Sequence, residues 1–208
     1  MKDGIAQPFT RNLLVLDVET TGSDPQLHEV VEIGAVLLDA DSLEPLRQFQ
    51  SLVRPEQFQN SDPRALRIHG LSPERLGTAP PAGEVISRFV DEFGLDFIFC
   101  GWNIAFDTQF LRSLFRKAEK KALFDAIDYH KVDLWSLLEL AWVSGLYPKE
   151  PKSLAEVCQT LHIERSALHN ALQDALIAAE VLRAAIPMFR MRNDENIRFS
   201  RPFAADNV

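Results

Sequence analysis

The four residues 13–16, "LLVL", are apolar without interruption, a pattern that predicts a strand buried on both faces. Two further runs follow, "EVVEIGAVLLDA" and "LEPLRQFQSLVRP", separated by the turn-prone "DADS", so the chain should open as a meander. From residue 80 the period changes. Val85, Ile86, Phe89, Val90 and Phe93 fall on one helical face and the pattern stops at Gly94. "LDFIFCGW" then predicts a buried strand, and residues 103–118 a helix with Phe106, Phe110, Leu111, Leu114 and Phe115 on one side. "DYHKVDLW" predicts a short strand leading into a helix that ends at Gly145, with Trp135 and Trp142, seven apart, expected on its inner face. Ser153 and Glu156 form a capping box that starts another helix, and residues 169–187 predict the last one, interrupted by Pro187. The order βββαβαβααα predicts an α/β fold, a mixed sheet whose first three strands are antiparallel and whose later strands are parallel, layered with helices. The corresponding division is an N-terminal extension (1–10), one domain (11–187) and a C-terminal tail (188–208) that loses periodicity.

Composition narrows the function classes without changing this architecture. The 208 residues are 46% hydrophobic and 25% charged, ordinary for a globular domain. No apolar run is long enough to span a bilayer, and "MKDGIAQPF" lacks the apolar core of a secretory signal. The two cysteines, Cys100 and Cys158, lie in apolar surroundings with no metal-ligand or disulfide spacing, which fits a reducing cytoplasm. A formal charge of −8 argues against a protein that coats long nucleic acid, because such affinity comes from cations replacing counterions. One basic run, "LRSLFRKAEKK", stands out. Its simplest reading is the solvated outer face of a helix.

Against this background three acidic stretches need explaining. In "LDVETTG", Asp17 and Glu19 are two apart, so on a pleated strand they project from one face, roughly 6.6 Å apart. Two like charges there call for a cation or for open water. In "NIAFD", Asn103 follows a predicted strand where a cap would stand, and Asp107 lies four residues on, at the strand-end location usual for sites in α/β sheets. In "SALHNALQDA", Asp174 interrupts an otherwise apolar helix face, while His169 is five residues earlier, about 140° away on a continuous helix. If Asn170 caps that helix, with Gln173 three residues on, His169 falls outside it and is free to turn toward the face of Asp174; Ser166 is a rival cap that would put His169 in the first turn. Four acids, an Asn and a His at strand ends and helix starts suit a two-metal hydrolase acting on a phosphodiester. Hard oxygen ligands without a Cys/His cluster favour Mg²⁺ or Mn²⁺, two per site, over zinc.

"DVETTG", "NIAFD" and "HNALQD", in that order, resemble the three motifs of the DEDDh 3′-to-5′ exonucleases, the group that contains bacterial DNA polymerase proofreading subunits, ribonuclease T and oligoribonuclease. "RALRIHGLSPERL" is similar to the family's linking segment and "PKSLAEVCQTLHI" to the helix before its last motif. The resemblance spans about residues 13–186. His169 five before the last acid, with Asn170 where a sister group carries Tyr, selects the histidine type.

The resemblance implies a ribonuclease H-like fold. It implies that Asp17, Glu19 and Asp174 bind one metal ion, that Asp17 bridges to a second, and that Asp107 helps through water. By the same resemblance His169 accepts a proton from the attacking water, and Thr20, Thr21 and Asn103 bind substrate. The implied partners are single-stranded nucleic-acid 3′ ends, with a homodimer or a polymerase-type protein partner left open. A catalytically silent family member that serves as a binding module is the alternative. One departure is Trp102, where relatives frequently have His before the Asn.

Overall fold

The computed structural model describes residues 9–165 and 170–190. Five strands, β1 (Leu13–Thr20), β2 (Val30–Leu38), β3 (Pro45–Leu52), β4 (Ile98–Gly101) and β5 (Lys131–Asp133), form one sheet in the order β3-β2-β1-β4-β5. β1 pairs antiparallel with β2, and β2 with β3, while β4 runs parallel to β1 and β5 parallel to β4. The expected mixed sheet is therefore present. β1 runs four residues past its apolar stretch, so Asp17 and Glu19 lie within the strand.

Among the described residues eight α-helices cover the sheet: α1 (Pro63–His69), α2 (Pro73–Gly77), α3 (Ala82–Phe93), α4 (Ile104–Lys117), α5 (Lys121–Asp125), α6 (Leu134–Val143), α7 (Leu154–Leu161) and α8 (Ala171–Arg190). The alternation of β1 sorts its side chains between two layers. Leu14, Leu16 and Val18 pack with Phe89 of α3 and Phe110 and Phe115 of α4; the Phe89 and Phe115 rings meet edge to face at 6.1 Å. Leu13 and Val15 turn to the other side, against Leu134 and Leu138 of α6, Val157 of α7 and Ala175, Ala178 and Val181 of α8. Asp17 and Glu19 continue this second row, and their strand face is the one that α8 covers.

Gly34 is what brings α8 close enough to matter. It is paired with Asp17 across β1 and β2, and a Cβ there would stand 2.0 Å from the carbonyl carbon of Ala171 and 2.1 Å from the amide nitrogen of Leu172. Only glycine lets the first turn of α8 rest on the strand at that point. Asn170 accepts hydrogen bonds from the amides of Leu172 (3.1 Å) and Gln173 (3.3 Å), so it caps α8 as expected.

Several expectations are corrected. Trp135 and Trp142 are exposed (43% and 37%), because Leu134, Leu138 and Ala141 set the inward register of α6 and each tryptophan lies one residue, about 100°, beyond it. α8 continues through Pro187 to Arg190. The carbonyl this proline leaves without a donor belongs to Arg183, an exposed residue whose backbone water can satisfy. The linking segment, without a predicted element, forms α1 and α2, each with Pro in its first turn behind an Asp62 or Ser72 cap. Among the described residues no helix is long and apolar enough to cross a membrane.

Candidate active site

β1 lacks a neighbour where its acids lie. β4 pairs only with Leu13, Leu14 and Val15, so the β4-side edge of β1 is open beyond them, and the amide of Val18 donates to the Asp107 carboxylate at 3.0 Å. A side chain from the first turn of α4 thus takes the place of a missing strand. From the other layer, the capped start of α8 delivers Asp174. Carboxylate oxygens of Asp17, Glu19 and Asp174 all lie within 4.8 Å of one another. Asp174 lies 157 and 155 positions beyond Asp17 and Glu19 in sequence, and the packing at Gly34 is what brings it to them.

Such crowding penalises charge. Burial, and then the carboxylates of Asp107, Glu19, Asp174 and Glu32, hold the Asp17 carboxyl well above the usual carboxylate range. Burial, followed by Asp174 and Glu32, pushes Glu19 up to about 7. Asp107 is pushed up to about 8, first by burial, with Glu19 and Asp133 adding to it against the Val18 hydrogen bond. Convergent hard oxygens that resist ionisation when alone fit a divalent cation, which supplies the missing positive charge. The residues present suit a metal site.

A family model for an exonuclease domain matches residues 14–182. The DNA polymerase III epsilon subunit of Rickettsia felis is 35% identical over 176 residues, covering 81% of this chain and 71% of that protein. The Escherichia coli epsilon subunit is 31% identical, with 82% and 70% covered. The chain belongs to the DEDDh 3′-to-5′ exonuclease family. Escherichia coli exonuclease I, solved in complex with a dT13 oligonucleotide, shares the fold with a TM-score of 0.75 at 18% identity; the match covers 89% of this exonuclease and 43% of that chain. Exonuclease I from Methylocaldum szegediense gives a TM-score of 0.72 at 20% identity, over 89% and 41%. The chain therefore spans less than half the length of these structural neighbours, whose likeness concerns the ribonuclease H-like fold alone.

Of the expected site residues of the exonuclease, Asp17, Glu19 and Asp174 converge, Asp107 borders them through the Val18 amide, and His169 lies outside the described residues. Thr20 ends β1, Thr21 opens the turn after it, and both are buried. The Thr20 hydroxyl donates to the Gly22 carbonyl (2.7 Å), and the Thr21 hydroxyl accepts from the Glu29 amide (2.9 Å). Asn103 does not cap α4 with its side chain: it is exposed, with φ of 52°, a left-handed conformation that Asn tolerates, and it stands before the helix rather than on a face shared with Asp107. Asp133 caps instead. One of its oxygens accepts from Ile104 at the start of α4 (2.9 Å) and the other from Ser136 in α6 (2.8 Å).

Two neighbours of the site were not anticipated. Glu32 of β2 pairs with Glu19 of β1 and is almost fully buried; one oxygen accepts from the Gln50 side chain (2.8 Å) and the other from the Ala171 amide at 3.4 Å, at the positive end of α8. Its signal was an acid inside the apolar run "VVEIGAVLL". Arg165 pairs with Asp174 at 2.9 Å, and nothing in its local sequence marks it.

Proposed function

We propose that this exonuclease removes nucleoside monophosphates stepwise from the 3′ ends of single-stranded DNA or RNA, using two divalent ions, Mg²⁺ or Mn²⁺, at the carboxylate cluster. The observation that carries this reading is the convergence of Asp17, Glu19 and Asp174 within 4.8 Å, in a setting where Asp17 and Glu19 do not ionise readily alone. Asp17, Glu19 and Asp174 would hold the ions, and Asp107 would steady the strand that carries the first two through its bond to Val18. When bound, such ions supply an activated water and neutralise charge on the leaving oxygen.

The remaining steps belong to the protein. His169 accepts the proton of the attacking water, a task suited to a group whose unperturbed pKa is about 6.5. Beside Glu19 and Thr20 lies a cleft of about 290 Å³ walled by Asp62, Arg64, Ile68 and Phe106. Its volume is near the lower bound of about 300 Å³ for small-ligand clefts, which suits one terminal nucleotide. The backbone of the Thr20–Thr21 turn and the exposed Asn103 amide orient that nucleotide. A cytoplasmic location follows from this role, and the names of the epsilon-subunit relatives support a polymerase-type partner.

The test uses 5′-labelled single-stranded DNA and RNA oligomers with Mg²⁺ or Mn²⁺, beside EDTA and 3′-phosphate controls. Stepwise 3′ shortening in the presence of metal is expected. Internal cuts, or shortening that persists in EDTA, would refute the proposal.

A further inference from the structure

The basic run on α4 is not used by this chemistry, and its side chains do not simply spread into solvent. A groove of about 410 Å³ lies between α4 and the loop that follows β1, lined by Pro25, Gln26, Arg112, Arg116 and Lys121, with Gln109 and Ser113 along its length. Ser113 donates to the Pro25 carbonyl (3.3 Å), which fastens the loop to the helix. The loop itself is tight: the amides of Leu27 and His28 both donate to the Asp24 carbonyl (3.1 and 2.7 Å).

The terminal-nucleotide cleft is bounded by the same two elements one step nearer the acids, by Gly22 and Ser23 of the loop and Phe106 of α4. The two hollows therefore follow one another along a single seam. Arg112 and Arg116 are five and nine residues beyond Asp107, about 7.5 and 13.5 Å along the helix axis at 1.5 Å per residue. That span matches roughly two to four stacked nucleotides at about 3.4 Å each.

The charge in the groove is opposite to that of the protein. Three cations meet one carboxylate, Asp125, which pairs with Lys121 and, at 3.4 Å, with Arg112; the local sum is 3 − 1 = +2 in a chain of −8. Among the described residues the Arg116 side chain bonds only to the Ser113 hydroxyl, at 3.3 Å, and it is exposed. An acidic enzyme that must hold an acidic polymer needs its cations concentrated where the strand runs.

We propose that this groove holds the sugar–phosphate backbone of the single strand whose 3′ end occupies the cleft, with Arg112, Arg116 and Lys121 as phosphate contacts. The proposal rests on the exonuclease reading above for the direction of the strand, and it adds that substrate length is sensed here.

Two measurements test it. Fluorescence anisotropy of a labelled single-stranded 12-mer, in EDTA so that no turnover occurs, compares wild type with R112E/R116E and with D125N. The double variant should bind at least tenfold more weakly, with a log–log salt slope shallower by about 1.4 for two lost contacts at about 0.7 each; D125N should bind severalfold more tightly. With Mn²⁺, the ratio of kcat/KM on the 12-mer to that on a dinucleotide, which offers one phosphate, should fall tenfold or more in R112E/R116E and recover in R112K/R116K. Unchanged 12-mer binding in the double variant overturns the groove even if the enzyme is active. If both substrates decline equally, the length-sensing role fails. If wild type cleaves neither substrate, the exonuclease reading fails while the anisotropy result still decides the groove.

Discussion

Gly34→Ala separates the fold from the site more cleanly than changing any acid, because it removes no ligand. The added Cβ would lie 2.0 Å from the Ala171 carbonyl carbon, and ordinary contact begins near 3.4 Å, so the start of α8 must retreat by about 1.4 Å. Backbone cannot rotate away as a side chain can. The Glu32 bond to the Ala171 amide, already 3.4 Å, would break, and Asp174, three residues further along the same helix, would move with it. Overpacking of this kind costs about 1–3 kcal/mol, which for a chain of this size lowers Tm by roughly 2–12 °C. A misplacement of about 1 Å costs about 10²-fold in turnover. Thermal melts and single-turnover cleavage of a labelled oligomer, with Gly83→Ala as control, measure both; Gly83 lies on α3 where a Cβ meets nothing within 4 Å. A folded Gly34→Ala enzyme with wild-type rate would refute the claim that this contact positions Asp174.

Four further outcomes are expected. In EDTA, Glu19 titrates near 7 in the folded protein against an ordinary 4.5, so the folded state holds more protons across that window; stability falls as pH rises from about 4.5 to 7, by up to about 3 kcal/mol, and saturating Mn²⁺ should flatten a Tm-against-pH profile that EDTA leaves sloping. Asp17→Asn should abolish cleavage while leaving the metal-free Tm unchanged or higher, since a repelled charge is removed; a large loss of Tm on melting would contradict the electrostatic account. His169→Ala should slow cleavage by about 10²–10⁴, read by single-turnover kinetics, and near-wild-type rates would exclude it as proton acceptor. Asp133→Ala removes two caps at once and should cost about 2 kcal/mol in denaturant melts, whereas Asp133→Asn, which keeps an acceptor, should cost less.

The metal-site candidates were legible because their chemistry contradicts their surroundings. Asp17 and Glu19 end an apolar strand and Asp174 interrupts an apolar helix, and each conflict needs a partner that local sequence does not provide. The mixed sheet, antiparallel in its first three strands and parallel after them, followed from the meander and the later alternation of helices and strands. Other features depend on tertiary proximity and leave no periodic trace. Asp133 caps α4 from 29 residues away, a role that only the parallel pairing of β4 with β5 creates. Arg165 meets Asp174 from nine residues away, and Glu32 looked like one polar residue in a strand until its register with Glu19 was known. The tryptophans of α6 misled because a seven-residue spacing shows that two residues share a face but not which way that face looks.

The most direct measurement is Mn²⁺ binding followed by electron paramagnetic resonance. Two ions should bind per chain of wild-type protein, with loss of one or both in Asp17→Asn and Asp174→Asn variants that remain folded. Absence of stoichiometric binding in wild type, or binding undiminished in both variants, would contradict a metal centre at these carboxylates.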